Sequence, residues 1–183
     1  ILDGGNDDDH LVIGSSDTAY GGSGDDTFWV QANQGTGGTV TVIGGETGED
    51  LTDTTNGGDG DTLDLSWNGT GTTTENQTIT LTGDEAGTAT GTGTTVAFSE
   101  IENIVTGAGN DTIDMSADTS GMAVDAGEGD DSVTGGNGAD DIAGGAGADT
   151  LSGGIGNDSL ELGAADGATD TVVLSDGDGN DTV

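Results

Sequence analysis

The chain has 183 residues, 36 of them acidic and 39 of them glycine, with no lysine, arginine, cysteine or proline, and a formal charge of −36. That balance excludes nucleic acid as a partner, because phosphate binding needs lysine or arginine, and it opposes direct docking on an anionic membrane. Low hydrophobicity with high charge is also the composition of a disordered chain, so a fold requires both a pattern and something that neutralises the carboxylates.

No apolar run approaches the 18 residues of a membrane-spanning helix. Ile1 to Val12 reads ILDGGNDDDHLV, in which Gly4 and Gly5 open a turn, Asp9 follows and Leu11 points inward. Asp7 stands where the better units carry glycine, and His10 is an outward, solvated side chain. Ile13 to Tyr20 is a degenerate unit that keeps Gly14. Gly21 to Trp29, GGSGDDTFW, is complete: glycines at its first, second and fourth positions (Gly21, Gly22, Gly24), aspartate at its sixth (Asp26) and an inward Phe28 at its eighth. Trp29 flanks the core.

The register then lapses. Val40 to Ile43 alternates and is β-branched, which predicts a strand. Gly48 and Asp50 echo the unit, as do Gly58, Gly60 and Asp61. Leu63 and Leu65 alternate about Asp64 as another strand. Asn68 to Thr95 is rich in threonine and glycine, with one clear strand at Thr78 to Thr82, and reads as an insertion or as larger rungs. In VAFSEIENIV, Val96 to Val105, the Ser99–Glu102 spacing fits a helix capping box. The segment nevertheless runs straight into a glycine-rich turn, which favours strands. Gly107, Gly109 and Asp111 then restore the unit, with Ile113 inward.

Ala126 to Glu161 is four units in tandem: AGEGDDSVT, GGNGADDIA, GGAGADTLS and GGIGNDSLE. The sixth position is Asp131, Asp140, Asp149 and Asp158. The eighth is Val133, Ile142, Leu151 and Leu160. Beyond it, Val172 and Leu174 are strand-like, and Gly177, Gly179 and Asp181 begin another unit with Val183 inward. The chain opens and closes inside a unit, so it reads as part of a longer polypeptide, and no signal peptide is visible at Ile1.

The chemistry follows from the spacing. Six turn residues and a three-residue strand cannot bury one aliphatic side chain alone, but stacked units can, through a continuous narrow core. If two units make a coil, residues eighteen apart stack at about 4.8 Å, placing Asp131 over Asp149 and Asp140 over Asp158. Carboxylates about 5 Å apart repel by roughly 1 kcal/mol even at the dielectric of water, and no side-chain cation exists to answer them. Ca²⁺ takes six to eight oxygens in flexible geometry, whereas Mg²⁺ demands a tighter octahedron. Zinc is disfavoured by the lack of cysteine and the presence of His10 alone.

The nonapeptide resembles the RTX (hemolysin-type calcium-binding) family, and F-x-x-I-E-N-I before a GxGxD turn adds to the likeness. The resemblance implies an all-β, right-handed parallel β-roll or β-helix solenoid, with almost no helix and several Ca²⁺ ions in its turns. It also implies that the ligands are sixth-position carboxylates and glycine carbonyls. Carried to this sequence, these are Gly127, Gly129, Asp131, Gly136, Gly138, Asp140, Gly145, Gly147, Asp149, Gly154, Gly156 and Asp158. The outlying units add Asp9, Gly22, Gly24, Asp26, Asp50, Asp61, Gly107, Gly109, Asp111, Gly177, Gly179 and Asp181.

The expected organisation is an irregular solenoid over 1–66, Thr/Gly-rich larger rungs or an insertion over 67–105, and a β-roll over 106–183. RTX proteins are typically exported unfolded from Gram-negative bacteria by a type I apparatus and fold outside, so the resemblance implies an extracellular location. No catalytic constellation is present. The readings are therefore a calcium-stiffened structural segment of a secreted surface protein (adhesin, coat or filament), a calcium-dependent secretion module of an RTX enzyme or toxin, and a lectin-like or ice-binding surface. Head-to-tail self-assembly or a cell-surface glycan would be the partner besides calcium.

Overall fold

The computed structural model describes residues 1–31, 38–45, 60–66, 75–91, 94–163, 167–174 and 179–183. Asp50 and Gly177 lie outside these. Among the described residues there is no helix. In chain order the strands begin with β1 (Leu2–Asn6), β2 (His10–Ile13), β3 (Thr18–Ser23), β4 (Thr27–Val30), β5 (Gly38–Ile43) and β6 (Thr62–Asp64). They continue with β7 (Thr78–Gly83), β8 (Ala86–Thr90), β9 (Thr94–Ser99), β10 (Asn103–Val105), β11 (Thr112–Asp114) and β12 (Ala123–Asp125). The last are β13 (Ser132–Thr134), β14 (Asp141–Ala143), β15 (Thr150–Ser152), β16 (Ser159–Glu161) and β17 (Thr171–Val172).

These strands form two sheets. A seven-stranded sheet runs β2-β4-β6-β10-β12-β14-β16, all parallel and in the order of the chain. A ten-stranded sheet runs β1-β3-β5-β9-β8-β7-β11-β13-β15-β17. Outside the middle of the larger sheet the chain crosses from one sheet to the other at each turn, so each coil gives one strand to each sheet. The protein is an all-β, parallel β-roll. In the tandem block the coil is eighteen residues long: Ser132 pairs with Thr150, and Asp141 with Ser159.

Strands this short leave a narrow core, with one inward side chain per strand in β13 to β16 and two in β2, β4, β5, β7 and β9. In the smaller sheet Leu11, Phe28, Leu63, Ile104, Val124, Ile142 and Leu160 stack in register and are buried. Val40, Val96, Ala89, Ile79, Ile113, Val133 and Leu151 form the buried column of the larger sheet. Val133, Ile142, Leu151 and Leu160 are thus inward as their eighth position predicts. Val183 is not. It is 65% exposed, because among the described residues the smaller sheet carries no strand past the Ser159–Thr182 bridge that would cover it. Leu174 is exposed as well, since β17 ends at Val172.

The threonine-rich middle is where the two sheets differ. Where a regular coil would give one strand, β7, β8 and β9 form an antiparallel meander, and it enters the sheet in reverse. β9 pairs with β5 in parallel, β8 lies between β9 and β7, and β7 pairs with β11 in parallel. Val96 to Val105 is accordingly two strands with a tight turn. The meander's tip is pinned to the turn after β11. Glu85 N–H donates to Asp118 Oδ1 at 3.1 Å, and the Thr119 N–H and hydroxyl donate to Asp84 Oδ1 at 2.9 and 2.7 Å. Asp118 is fully buried, and its Oδ2 accepts the N–H groups of Ser120 and Gly121. These Thr119 donors also hold the Asp84 carboxyl below its ordinary range.

Candidate metal sites along the turns

Two crossings per coil make two turn faces. The first carries chain from the larger sheet to the smaller, the second carries it back. A column of acidic side chains runs along each.

On the first face Asp9 N–H donates to Asp26 Oδ1 (2.8 Å), Asp26 N–H to Asp61 Oδ1 (2.7 Å) and Asp61 N–H to Glu102 Oε2 (2.6 Å). Met122 takes the next step, and its N–H donates to Asp140 Oδ1 (2.8 Å). Asp140 then donates to Asp158 (2.9 Å) and Asp158 to Asp181 (3.1 Å). On the second face Gln77 N–H donates to Asp111 (2.6 Å), Asp111 to Asp131 (2.7 Å), Asp131 to Asp149 (2.9 Å) and Asp149 to Asp170 (3.1 Å). Each sixth-position carboxylate therefore satisfies the amide of its counterpart one coil earlier.

The sequence series is thereby divided between faces. Asp9, Asp26, Asp61, Asp140, Asp158 and Asp181 share one column; Asp111, Asp131 and Asp149 share the other. Glu102 and Asp170 are ladder members that the nonapeptide reading omits. Glu102 follows a turn of three residues, Glu100 to Glu102, in place of the usual six, and its extra methylene restores the reach. Asp170 lies 21 residues beyond its ladder partner Asp149, where Asp149 lies 18 beyond Asp131. In both cases an acidic residue stands two before an aliphatic one, Ile104 or Val172, which is the signal that remains when the glycines are lost.

The glycines have a steric role at each position. At the first position, a Cβ on Gly144 would lie 2.7 Å from Oδ2 of Asp149, and one on Gly135 2.6 Å from Oδ2 of Asp140. The carboxylate thus folds back over the start of its own turn. At the second position Gly145 stacks on the Gly127 carbonyl and Gly127 on that of Gly107; at the fourth, Gly147 stacks on Gly129 and Gly129 on Gly109. On the first face Gly154 stacks on Gly136, and Gly156 on Gly138, with Gly179 on Gly156; Gly22 stacks on Gly5, and Gly24 on Asp7. Asp7 takes the left-handed backbone conformation at φ 71° in glycine's stead. A second-position carbonyl such as that of Gly127 accepts the Ala146 N–H at 2.7 Å, and a carbonyl oxygen has a second lone pair to offer.

The electrostatics of these columns are unfavourable as they stand. Asp26, Asp111, Asp131, Asp140, Asp149 and Asp158 are each at most 2% exposed. Oδ2 of Asp26 and of Asp131 is buried with no hydrogen-bond donor. Burial pushes the Asp131 carboxyl up to about 7; the Asp111 N–H offsets part of this, while the charges of Asp111, Asp149 and Asp130 add to it. Asp26, Asp111 and Asp140 are raised too, each chiefly by burial. A buried carboxylate is normally paired or bound to a metal, and here the column supplies only more carboxylates.

Among the described residues no three acidic or histidine side chains gather at one point. A cation between coils would therefore be held by a few carboxylate oxygens completed by backbone carbonyls. That all-oxygen, carbonyl-rich donor set suits Ca²⁺ and not a nitrogen- or sulfur-seeking metal. His10 takes no part: it is exposed and lies against the Trp29 ring, centroids 5.6 Å apart, on the outside of the smaller sheet.

A parallel two-sheet roll with stacked carboxylates and glycine carbonyls down both turn faces defines a calcium-binding β-roll. The family model of the RTX calcium-binding nonapeptide repeat matches residues 97–114 and 125–160, in four copies. These residues carry the RTX calcium-binding nonapeptide repeat, a structural calcium-binding repeat. No curated protein matches the chain. The ladder of Asp9, Asp26 and Asp61 lies outside the matched residues.

Proposed function

We propose that this chain is a calcium-folded structural segment of a large secreted bacterial surface protein, an adhesin, coat or extracellular filament. Ions sit between successive turns. On the second face they are held by Gly127, Gly129 and Asp131 with Gly145, Gly147 and Asp149, and the series extends back to Gly107, Gly109 and Asp111. On the first face Gly136, Gly138 and Asp140 act with Gly154, Gly156 and Asp158, extended by Gly179 and Asp181. The same chemistry reaches Gly22, Gly24 and Asp26, flanked by Asp9 and Asp61.

The observation that carries this reading is the buried, unpaired Oδ2 of Asp131 within a column of carboxylates, in a chain with no lysine or arginine. When the ligand set exists only in the fold, binding free energy is folding free energy. A chain that stays open at low cytosolic calcium and closes outside, where sites with dissociation constants of about 10⁻⁴–10⁻³ M are filled, suits type I export. The irregular coils and the inserted meander favour a stiff spacer over a short secretion tail. Calcium titration followed by circular dichroism tests the premise: β-signal should rise with calcium and vanish in chelator. β-signal unchanged in excess chelator would sink it. Electron microscopy of the parent protein, showing extended fibres or discrete particles, tests the structural role.

A further inference from the structure

The outward side chains of the larger sheet form an ordered array. Thr39, Thr95, Thr90 and Thr78 stand side by side on β5, β9, β8 and β7. Thr112, Ser132, Thr150 and Thr171 continue the same row on β11, β13, β15 and β17. Eight consecutive strands thus present a hydroxyl at one register position. A second row lies two residues along each strand and includes Thr41, Thr88, Thr80 and Thr134, with Asp114 its single acid. The reversed meander is what keeps the rows unbroken: its antiparallel pairing puts Thr90 beside Thr95 and Thr78, and Thr88 beside Ala97 and Thr80.

The smaller sheet, built from the same coils, is the comparison. One of its rows runs His10, Thr27, Thr62, Asn103, Ala123, Asp141 and Ser159, with Asn103 buried, and the next holds Trp29, Asp64, Asp125 and Glu161. Strand preference alone would enrich threonine on both sheets. Only one carries the array, and that strip is nearly uncharged in a chain of charge −36.

We propose that this face binds a crystalline water lattice, the surface of ice. The rows repeat at about 4.8 Å across strands and roughly 6.6 Å along them; the first lies close to the shorter oxygen repeat of hexagonal ice, and the second falls short of the longer one. Threonine is stiff at χ1, so its methyl and hydroxyl are pre-positioned and little ordering entropy remains to be lost on binding. The two rows lack an aromatic ring to stack on a sugar and a charged fork to grip a peptide terminus or phosphate, which leaves a partner that is itself periodic, neutral and rich in donors and acceptors.

The array exists only in the folded roll, so the proposal rests on the calcium-loaded state; circular dichroism of each sample separates a failure to fold from a failure to bind. The test is partition into slowly grown ice, with recrystallisation inhibition as a second readout, on the calcium-loaded chain. Wild type should be enriched in the ice fraction several-fold over a non-binding acidic protein. Thr78→Arg with Thr112→Arg, at the middle of the row, should abolish the enrichment while the β-signal and calcium midpoint hold. Thr62→Arg, outward on the smaller sheet, should keep it. Folded wild type that stays in the liquid overturns the proposal. So does equal loss in Thr62→Arg, and so does Thr78-dependent retention on crystalline cellulose or chitin without ice binding, which would assign the strip to a polysaccharide surface.

Discussion

The Asp131 amide donates to the Asp149 carboxylate at 2.9 Å, while the Asp131 carboxylate accepts the amide of Asp111 at 2.7 Å. Each aspartate is therefore both a rung that holds the previous coil and a buried negative charge that repels the next. The hydrogen bond survives neutralisation of the side chain, but the charge is what a cation needs. Asp131→Asn separates the two roles. It keeps an oxygen for Asp111 and should weaken calcium binding tenfold or more, about 1.4 kcal/mol per tenfold. In chelator the same variant should hold more β-structure than wild type, because a buried charge is gone. Asp130→Asn, on the exposed fifth position where it accepts the Ala148 N–H, should change neither quantity much. Calcium titrations of the three proteins by circular dichroism check this, and equal effects at 130 and 131 would show that the register is wrong.

Acid should act on the calcium-free chain in the direction opposite to ordinary acid denaturation. The Asp131 carboxyl stands at about 7 in the fold against an ordinary value of 3.8, and Asp26, Asp111 and Asp140 are raised in the same direction. Between these limits the fold binds protons that the open chain has released, so stability falls as pH rises. In a pH-insensitive chelator, β-signal should grow as pH drops from about 8 towards 5. With calcium present, protons compete for the same oxygens, so the calcium midpoint should move to higher concentration over that range. A calcium-free signal that is flat or falls on acidification would contradict the burial of these groups.

The stacking of glycine on carbonyl predicts a contrast between two glycine-to-alanine changes. Gly145 has φ 97° and no room for a methyl beside the Gly127 carbonyl, whereas a methyl on Gly83 meets nothing within 4 Å. Gly145→Ala combines a disfavoured backbone with a steric clash and should cost about 1–3 kcal/mol or more, lowering the melting temperature in saturating calcium. Gly83→Ala should be near neutral. Comparable losses at both sites would mean that coil spacing in the tandem block is looser than the stacking implies.

Much of this was legible in the sequence because the repeat couples chemistry to register. A sixth-position aspartate and an eighth-position aliphatic residue fix which side chain faces the turn and which the core, and Val133, Ile142, Leu151 and Leu160 are buried accordingly. The pairing of Asp131 with Asp149 and of Asp140 with Asp158 follows from a coil of two units. What was hidden depends on contacts between distant coils. Ladder steps of 35 residues from Asp26 to Asp61 and 41 from Asp61 to Glu102 have no period to reveal them. The alternation in Thr78 to Thr82 predicts a strand but not that β9 would reach the neighbour β5 before β7. Met122 in the ladder is likewise invisible, since its place is set by Glu102 and Asp140 on either side and not by its own chemistry.

Glu102 is the sharpest test of whether the acidic column is continuous through those irregular coils. It is buried, and its Oε2 accepts the Asp61 amide at 2.6 Å. Glu102→Ala leaves that amide buried without its acceptor, a loss of about 1–3 kcal/mol, and should destabilise the roll in calcium and in chelator alike. Glu102→Gln keeps an acceptor and removes only the charge, so it should weaken calcium affinity and, like Asp131→Asn, leave the calcium-free chain at least as β-structured as wild type. Thermal melts with and without calcium distinguish the two. If Glu102→Gln behaves as wild type at every calcium concentration, Glu102 is a hydrogen-bonding rung alone, and the ion-binding column is interrupted between Asp61 and Asp140.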